Sequence, residues 1–445
     1  MQEIQESQEK QERAIIVGVK LEDMSKAETE ESLQELALLA DTAGVEVVCQ
    51  VLHQRDKPNP AYFVGSGKAQ ELKDLNAEMQ ADVLIFDSDL SPAQTRNLEK
   101  MTDIRVIDRT TLILDIFAQR ARTKEAMVQV ELAQLQYALP RLTRQWTHLS
   151  RLGGGAGAGK VGGVGTRGPG ETQLQIDRQL IRDRISHLKQ ELKKIEKHRT
   201  VQRSHRKEMI SAAIVGYTNA GKSTLLNALT DEHLFTEDKL FATLDPTTRI
   251  VQLPENHRIF LTDTVGFIKK LPHHLVASFR ATLEEVTEAD LLLHVVDASH
   301  PEALNQIKAV NQVLEELEAV DKQTLMVFNK IDQIASRLCR NEGMESYDEL
   351  HVLQSEYPDG IAISALTGEG MEQLKSRLVE FSSQNDVQIS LVLSHKEGGK
   401  VLNYIYTHGE VLGQSYEDNS VLVEAKIHSR YLKQLRKLAP SAVSL

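Results

Sequence analysis

Residues 211–230 decide the fold of the middle of this chain: Ser-Ala-Ala-Ile-Val-Gly-Tyr-Thr-Asn-Ala-Gly-Lys-Ser-Thr-Leu-Leu-Asn-Ala-Leu-Thr. An apolar strand leads into Gly216 and a helical pattern follows Lys222, which is the context of a phosphate-binding loop. In such a loop the backbone N–H groups and the helix N-terminus hold phosphates. We therefore expect a nucleotide site here, with Lys222 at the β- and γ-phosphate oxygens and Ser223 at Mg²⁺.

A second motif, Asp263-Thr264-Val265-Gly266, ends the predicted strand Arg-Ile-Phe-Leu-Thr-Asp. A carboxylate at this strand end can hold Mg²⁺ through water, and the Gly266 N–H can meet the γ-phosphate. We expect Lys222 and Gly266 to stabilise the phosphate charge. The next residue is Phe267, where a water-orienting glutamine would sit, and a phenyl ring cannot polarise water. No catalytic side chain is therefore assigned, and we expect slow intrinsic hydrolysis that a partner accelerates.

Two further motifs predict which base is bound. Asn329-Lys330-Ile331-Asp332 ends a strand, and its aspartate can accept hydrogen bonds from the guanine N1–H and 2-amino groups. Adenine lacks both donors and would leave the carboxylate unpaired, so the site discriminates against it. Ser364-Ala365-Leu366, also at a strand end, fits a backbone contact to the guanine carbonyl. Because parallel strands end at one sheet edge, the motifs together predict GTP and GDP as ligands.

The threonine that would complete Mg²⁺ coordination is expected between the first two motifs. Within Phe241-Ala242-Thr243-Leu244-Asp245 the candidate is Thr243, and Thr247 and Thr248 remain alternatives because their segment also offers hydroxyls. The predicted metal ligands are Ser223, Thr243 and Asp263. The predicted nucleotide contacts are Gly216, Tyr217, Thr218, Asn219, Ala220, Gly221, Lys222, Ser223, Thr224, Phe241, Ala242, Thr243, Leu244, Asp245, Asp263, Thr264, Val265, Gly266, Asn329, Lys330, Ile331, Asp332, Ser364, Ala365 and Leu366.

The flanking regions predict a multidomain α/β protein. Residues 14–109 alternate short β-branched runs with helix-like segments, which indicates an N-terminal α/β domain with a mainly parallel sheet. Residues 209–382 repeat this alternation around the phosphate loop and predict a GTPase domain with a mostly parallel sheet. Residues 383–445 predict a small α+β domain with two strands and two helices. We expect residues 1–13 to be disordered.

Residues 110–208 predict a long antiparallel helical hairpin with a glycine-rich basic loop. Apolar residues recur at helical spacing on both sides of residues 153–170, which hold ten of the 25 glycines. Helices of ~25–30 residues would reach about 40 Å. The apolar positions are Val128, Leu132, Leu135, Leu139, Ile181, Ile185, Leu188, Leu192 and Ile195.

The charge of the chain is unevenly distributed. It has 52 Lys and Arg against 64 Asp and Glu, a net charge of −12 that as a total argues against nucleic acid. Residues 140–208 nevertheless contain 16 cations and 6 acids, a net charge of +10, so that the remaining residues carry −22. Residues 140–170 contain no acid at all. This basic, glycine-rich segment favours a loop whose backbone approaches phosphates closely.

Several classes of protein are excluded by composition. The two cysteines, Cys49 and Cys339, have no metal-like spacing, so neither a disulfide scaffold nor a zinc module is expected. The N-terminus is polar and charged, unlike a signal peptide, and no apolar run approaches the roughly 20 residues that span a bilayer. We therefore expect a cytoplasmic protein without stable membrane insertion.

The motifs together resemble the G1, G3, G4 and G5 boxes of translation-factor-related GTPases. Outside these boxes the chain has five further segments that are typical of one family, and these are Tyr62-Phe-Val-Gly-Ser-Gly-Lys68, Asp108-Arg-Thr-Thr-Leu-Ile-Leu-Asp-Ile-Phe-Ala-Gln-Arg-Ala-Arg122, Gln129-Val-Glu-Leu-Ala-Gln-Leu135, Pro140-Arg-Leu142 and Gly168-Pro-Gly-Glu-Thr-Gln-Leu174. With them, the chain from about residue 14 to 380 resembles the HflX family of bacterial GTPases. In one place, Leu174-Gln-Ile-Asp-Arg-Gln179, the sequence departs from the family pattern, which usually has an acid and a second arginine there.

The resemblance implies a Mg²⁺-dependent GTPase that binds the large ribosomal subunit and splits or rescues stalled ribosomes under stress. It also implies that the hairpin loop enters the peptidyl-transferase region, which makes Arg151, Lys160 and Arg167 candidate rRNA contacts. We expect a monomer. One alternative is a regulatory switch that acts on a protein partner or on large-subunit assembly. Another is an RNA-modification GTPase, but the chain shows no spare cysteine, metal motif or cofactor motif for such chemistry.

Overall fold

The structure is a computed structural model, and its residues fall into two compact units. The first unit comprises Met1–Glu196 with the short segments Lys239–Phe241 and Lys270–Phe279. The second comprises Lys197–Asp238, Ala242–Lys269 and Arg280–Leu445. The described residues are 11–22, 24–142, 169–204, 209–230, 239–254, 257–270, 280–334, 345–384, 386–417, 420–438 and 443–444.

A four-stranded parallel sheet organises the first unit, with strand order β2-β1-β3-β4. The central strand is an almost fully buried run of branched apolar residues, as expected for a parallel strand covered on both faces. This strand begins at Arg13, so the predicted disorder of residues 1–13 is wrong at its last residue, and residues 1–10 lie outside the described part. The elements are β1 (Arg13–Lys20), α1 (Lys26–Thr42), β2 (Glu46–Gln54), α2 (Ser66–Met79), β3 (Val83–Phe86), α3 (Pro92–Thr102) and β4 (Arg105–Asp108).

Two helices of this sheet begin at capping boxes that the local sequence specifies. The Ser25 hydroxyl accepts from the Glu28 N–H at 3.0 Å, and the Glu28 carboxylate accepts from the Ser25 N–H at 2.8 Å. Ser91 and Gln94 repeat this exchange at the start of α3. Each box satisfies backbone donors that the first helical turn would otherwise leave without partners.

The helices after β4 pair as predicted, but their lengths differ from the prediction. Val128 and Leu132 pack against Ile185 and Leu188 in one buried cluster. The predicted first arm of ~25–30 residues is wrong, because the chain leaves the helical conformation at Ala121 and the Thr123 side chain caps a new helix. The helices are α4 (Arg109–Arg120), α5 (Lys124–Ala138) and α6 (Pro169–Ser204), with a 3₁₀ turn at Leu139–Arg141. The three candidate rRNA contacts and most of the glycine-rich segment lie outside the described residues.

A six-stranded sheet forms the core of the second unit, with strand order β10-β9-β8-β5-β7-β6. All pairs are parallel except β6 with β7, so the predicted mostly parallel architecture is confirmed. Strand β6, which contains Thr247 and Thr248, was not expected. The elements are β5 (Ile210–Gly216), α7 (Lys222–Thr230), β6 (Thr247–Gln252), β7 (Arg258–Asp263), α8 (Arg280–Glu288), β8 (Leu291–Asp297), α9 (Ala303–Glu316), β9 (Gln323–Asn329), α10 (Glu345–Glu356), β10 (Ile361–Ala362) and α11 (Met371–Ser383).

The remaining residues of the second unit form an antiparallel sheet, with order β12-β13-β11-β14. Its strand β11 pairs with β13 over its whole length, and the sequence had not predicted it. Apolar residues of the sheet, such as Leu393 and Val423, pack against Val401 and Ile405 of α12. The elements are β11 (Asp386–Ser394), α12 (His395–His408), β12 (Gly409–Glu417), β13 (Ser420–His428), a 3₁₀ turn at Ser429–Tyr431, α13 (Leu432–Leu438) and β14 (Val443–Ser444).

Candidate nucleotide and magnesium site

The predicted motifs follow neighbouring strands of the six-stranded sheet. β5 ends at Gly216, β7 at Asp263 and β9 at Asn329, and β10 is followed by Ser364. These strands run parallel within one sheet, so the residues that follow them lie at the same edge. The structure thus brings the four sequence motifs to one crevice of the second unit.

The loop from Gly216 to Lys222 has the backbone of a phosphate cradle. Asn219 and Gly221 have φ values of +60° and +93°, and a Cβ on Gly221 would lie 2.2 Å from the Asn329 amide nitrogen. Glycine is therefore required at 221 by both conformation and space. The Lys222 ammonium donates to the carbonyls of Gly216 at 3.2 Å and Tyr217 at 2.7 Å, which holds it over the loop.

Burial is the main cause that lowers the pKa of Lys222 to about 8; Asp263 opposes this change, and Lys330 makes a smaller contribution in the same direction as burial. A buried ammonium is costly unless anions surround it. Two carbonyl oxygens and the Asp263 carboxylate balance only part of the positive charge of this ammonium. Phosphate oxygens would supply the rest, so this lysine fits a polyphosphate ligand.

Three oxygen-bearing side chains converge beside the phosphate loop. The Ser223 hydroxyl lies 2.5 Å from one carboxylate oxygen of Asp263 and 2.8 Å from the Thr243 hydroxyl. The other carboxylate oxygen of Asp263 is buried and has no hydrogen-bond partner, and burial raises the pKa of this carboxyl. Hard oxygen ligands around an unsatisfied buried carboxylate are what Mg²⁺ binds, so these residues fit the ion.

The two alternative threonines occupy other places. Thr247 and Thr248 lie in β6, where Thr248 shares a hydrogen bond of 2.9 Å with the Thr262 hydroxyl. Thr243 contacts Ser223 directly, so the geometry favours Thr243 as the third Mg²⁺ ligand. Within the predicted segment Phe241–Asp245, the ring of Phe241 instead packs edge-on against Phe117 of the first unit, with ring centroids 4.7 Å apart.

Gly266 and Phe267 lie directly over the phosphate loop. The Thr218 N–H donates to the Phe267 carbonyl at 2.7 Å, and the Phe267 N–H donates to the Gly216 carbonyl at 3.1 Å. A Cβ on Gly266 would lie 2.9 Å from the Thr218 Cα and 3.0 Å from the Lys222 ammonium, so only glycine allows this approach. The Phe267 side chain is 1% exposed and belongs to the core. It therefore offers no group that could orient a water molecule.

The base-recognition motifs are joined to the phosphate loop by hydrogen bonds. The Asn329 amide donates to the Ala220 carbonyl at 2.9 Å and accepts from the Ala365 N–H at 3.0 Å. The Ser364 hydroxyl donates to the Asp332 carboxylate at 2.6 Å, which orients the predicted guanine acceptor. Leu366, which was predicted to contact the base, has a side chain that is 80% exposed.

Sequence reasoning missed one charged residue of this crevice. Asp297 ends β8, between the strands that carry the other motifs, and its carboxylate pairs with the Lys330 ammonium at 2.7 Å. Lys330 itself has a left-handed backbone conformation, with φ of +67°. The strand-end rule that located the other motifs applies equally to His-Val-Val-Asp297 and could have found it.

Comparison with known proteins identifies the family. The family model described as 50S ribosome-binding GTPase matches residues 211–330, and the models for a GTP-binding GTPase N-terminal region and middle region match residues 30–118 and 120–206. The GTPase HflX of Lacrimispora saccharolytica is 45% identical over 437 residues, which is 98% of both chains. The GTPase HflX of Escherichia coli is 43% identical over 418 residues, 93% of each chain. The chain belongs to the HflX family of GTPases.

Membership of the HflX family confirms the resemblance that the sequence motifs indicated. HflX proteins form a family of ribosome-binding GTPases, so this chain hydrolyses GTP to GDP and phosphate and uses Mg²⁺ as its metal ion. The site geometry agrees, because the phosphate loop, the oxygen cluster and the base motifs lie at one sheet edge. Within the described residues, no helix is both long and apolar enough to cross a membrane.

Proposed function

We propose that this HflX-family GTPase binds the rRNA of the large ribosomal subunit and splits or rescues stalled ribosomes under stress, as a cytoplasmic monomer. The observation that carries the proposal is the joint occurrence of a guanine-nucleotide site and a +10 segment, residues 140–208, in an otherwise acidic chain. In the described part of this segment, α6 exposes six cations, which are Arg182, Arg184, Lys189, Lys193, Lys194 and Lys197, and of these Arg184 pairs with Glu131. Such an array attracts a phosphate backbone.

Within the site, each residue has a proposed task. The loop amides and Lys222 bind the phosphates, and the Gly266 N–H meets the γ-phosphate over the loop. Mg²⁺, when bound, neutralises phosphate charge, and Ser223, Thr243 and Asp263 hold it, Asp263 through water. The Asp332 carboxylate, oriented by Ser364, accepts hydrogen bonds from guanine. Because Phe267 is a core residue, a partner must help to position the attacking water, so intrinsic hydrolysis is slow.

Light scattering of ribosomes tests the splitting activity directly. We expect intensity to fall when the chain is added to ribosomes with GTP or its non-hydrolysable analogue, and to stay constant with GDP. If the chain binds ribosomes but scattering stays constant with every nucleotide, the splitting proposal is wrong. If the chain then bound only immature large subunits, the result would support the alternative function, a regulatory switch in large-subunit assembly.

The rRNA contacts are tested by neutralising three cations. Changing Arg151, Lys160 and Arg167 to Gln should weaken binding to the large subunit and reduce the slope of log affinity against log salt by about two to three. The matched control changes the exposed Lys73, Lys308 and Lys400 to Gln and should leave both unchanged. Unchanged affinity and slope in the first variant would reject these contacts.

A further inference from the structure

Asp297 lies at the carboxyl end of β8, the strand between β5 and β9 in the six-stranded sheet. β5 leads into the phosphate loop, and β9 leads into the base-recognition motif Asn329–Asp332. In the register of β8 and β9, Asp297 stands directly opposite Asn329. The sheet therefore places a further carboxylate beside the motif to which guanine recognition is assigned.

One oxygen of the Asp297 carboxylate pairs with the ammonium of Lys330. The two atoms are 2.7 Å apart, and the side chains of Asp297 and Lys330 are 15% and 19% exposed, so most of the pair is shielded from water. Such a pair is stronger than one on the surface, because the local dielectric constant is lower. Lys330 directly precedes the helical turn that contains Asp332, the proposed guanine acceptor. The ion pair thus restrains the residue at the start of this turn.

The other oxygen of the Asp297 carboxylate is linked to the end of the same turn through Ser299. It accepts from the Ser299 N–H at 3.0 Å and from the Ser299 hydroxyl at 2.6 Å. The hydroxyl oxygen in turn lies 3.1 Å from the side-chain amide of Gln333. Because Asp297 accepts the single proton of this hydroxyl, the amide can donate its own N–H to the Ser299 oxygen. Asp297 is thereby linked to positions 330 and 333, which lie on either side of Asp332.

The turn from 330 to 333 also has its own hydrogen bonds. The Gln333 N–H donates to the Lys330 carbonyl at 3.0 Å, so the two ends of the turn are joined. The Ser364 hydroxyl donates to the Asp332 carboxylate at 2.6 Å. The guanine acceptor is therefore restrained by Ser364 after β10 and, through the two ends of its turn, by Asp297 of β8.

We propose that Asp297 is a positioning residue for guanine recognition. By restraining both ends of the turn it keeps the Asp332 carboxylate where it accepts hydrogen bonds from the guanine N1–H and 2-amino groups. Recognition by two parallel hydrogen bonds requires that both carboxylate oxygens are aligned with the base, so it is sensitive to small displacements. The proposal rests on the proposed role of Asp332 as the guanine acceptor and adds the residue that sets its position.

The Asp297→Asn variant tests this role and should fold. The asparagine oxygen can still accept from Ser299, and the ammonium of Lys330 can turn towards water on its long side chain. Asp290→Asn is the matched control, because Asp290 precedes the same strand at its opposite end. Its carboxylate also accepts from a serine, the Ser211 N–H, at 2.8 Å.

The affinities for GDP and inosine diphosphate are measured by calorimetric titration in the presence of Mg²⁺. Inosine diphosphate has the phosphates and the N1–H of GDP but lacks the 2-amino group. We expect Asp297→Asn to lower the affinity for GDP about tenfold and that for inosine diphosphate at most about threefold. Asp290→Asn should match the parent chain. Equal losses for both nucleotides, which a merely structural role would give, or unchanged affinities would overturn the proposal.

A double-substitution cycle tests whether Asp297 acts through Lys330. Because asparagine keeps the contact with Ser299, the effect of Asp297→Asn should depend on the lost ion pair alone. Adding Asp297→Asn to Lys330→Met should then reduce the preference for GDP over inosine diphosphate no further than Lys330→Met does. Additive losses in the double variant would contradict the proposal.

The Asp332→Asn variant separates the proposal from the function on which it rests. We expect it to lose the preference for GDP over inosine diphosphate, because the acceptor for the 2-amino group is changed. If Asp332→Asn lost this preference while Asp297→Asn retained it, the positioning role alone would be wrong. If Asp332→Asn retained the preference, the assignment of the guanine acceptor would be wrong, and the role of Asp297 would fall with it.

Discussion

The two parallel sheets of this molecule differ in what lies at their carboxyl edges. At the edge of the four-stranded sheet, Asp87 and Asp108 are paired with Arg109, Tyr137 and Arg141 from the same unit. At the edge of the six-stranded sheet, one oxygen of Asp263 and the Thr218 hydroxyl are buried without hydrogen-bond partners. Buried polar groups are normally satisfied, so these two atoms make the edge of the six-stranded sheet a candidate ligand site.

The comparison teaches that topology alone does not locate a ligand site. Both sheets offer a crevice at their strand ends, but among the described residues only the second sheet has the phosphate-loop sequence that runs from Gly216 to Lys222. The first is filled by the side chains of Arg109 and Lys270. The amide of Gln129 is also buried without a partner, but it lies on helix α5 rather than at a strand end, and nothing in the structure explains it.

The largest expected effect comes from the second sheet. Asp263→Asn removes the carboxylate charge that supports Mg²⁺, and it should lower the single-turnover hydrolysis rate by about a hundred- to a thousandfold. Because one oxygen of this carboxylate is buried without a hydrogen-bond partner and burial disfavours its charge, the free energy of unfolding should not fall. Hydrolysis assays and urea unfolding check the two statements. A loss of stability as large as the one expected below for Asp87→Asn would contradict the difference proposed between the two sheets.

At the edge of the first sheet, we expect a substitution of the aspartate to lower stability. Asp87→Asn removes one of the two carboxylates that pair with the buried Arg109, and it should lower the free energy of unfolding by about 3 kcal/mol. Urea unfolding measures this loss. The control is Asp74→Asn, which changes an exposed carboxylate of α2 and should cost less than about 0.5 kcal/mol. Equal stability of the two variants would contradict the account of the filled crevice.

A buried histidine of the second sheet, His294, should make the stability of the protein depend on pH. Burial, with Lys222 nearby, lowers the pKa of His294 in β8 to about 4. The folded state therefore binds fewer protons than the unfolded state below pH 6.5, so stability is lost as pH falls from 6.5 towards 4. We expect this residue to account for a loss of about 2 kcal/mol between pH 7 and pH 5. In urea unfolding at both pH values, His294→Leu should lack that loss, and an identical pH dependence would disprove the assignment.

The smallest effect is expected at the start of α1. Ser25→Ala removes one half of the capping box and should lower the stability of the first unit by about 1 kcal/mol, with no change in nucleotide affinity. Ser25→Asp, which keeps an acceptor at the cap, should restore most of the loss. Thermal unfolding and GDP titration make the two measurements. A change in GDP affinity without a change in stability would be inconsistent with a purely local role.

The placement of the candidate nucleotide site was predictable because its residues lie in short contiguous motifs. A phosphate loop and three strand-end motifs need only local spacing to be recognised, and β5, β7, β9 and β10 place them as expected. The same rule would have found Asp297. The break between α4 and α5 was missed because Thr123 forms its cap in a region without glycine or proline.

Other features could not be predicted because they depend on partners that are distant in sequence. β11 is stabilised by β13, which lies more than 25 residues away, and β6 is an antiparallel edge strand whose threonines gave no clear pattern. The contact of Lys270 with Asp87 joins residues 183 positions apart. No sequence motif predicts such a pair, because each of the two residues alone is an ordinary charged side chain.

Calorimetric titration of the whole chain with GDP in the presence of Mg²⁺ tests most directly the claim that only the second sheet holds a guanine-nucleotide site. The account predicts one site per chain in the parent protein and no measurable binding in Lys222→Ala, whose thermal unfolding should show a folded chain. A second guanine-nucleotide site in the parent, or binding that persists in folded Lys222→Ala, would contradict it.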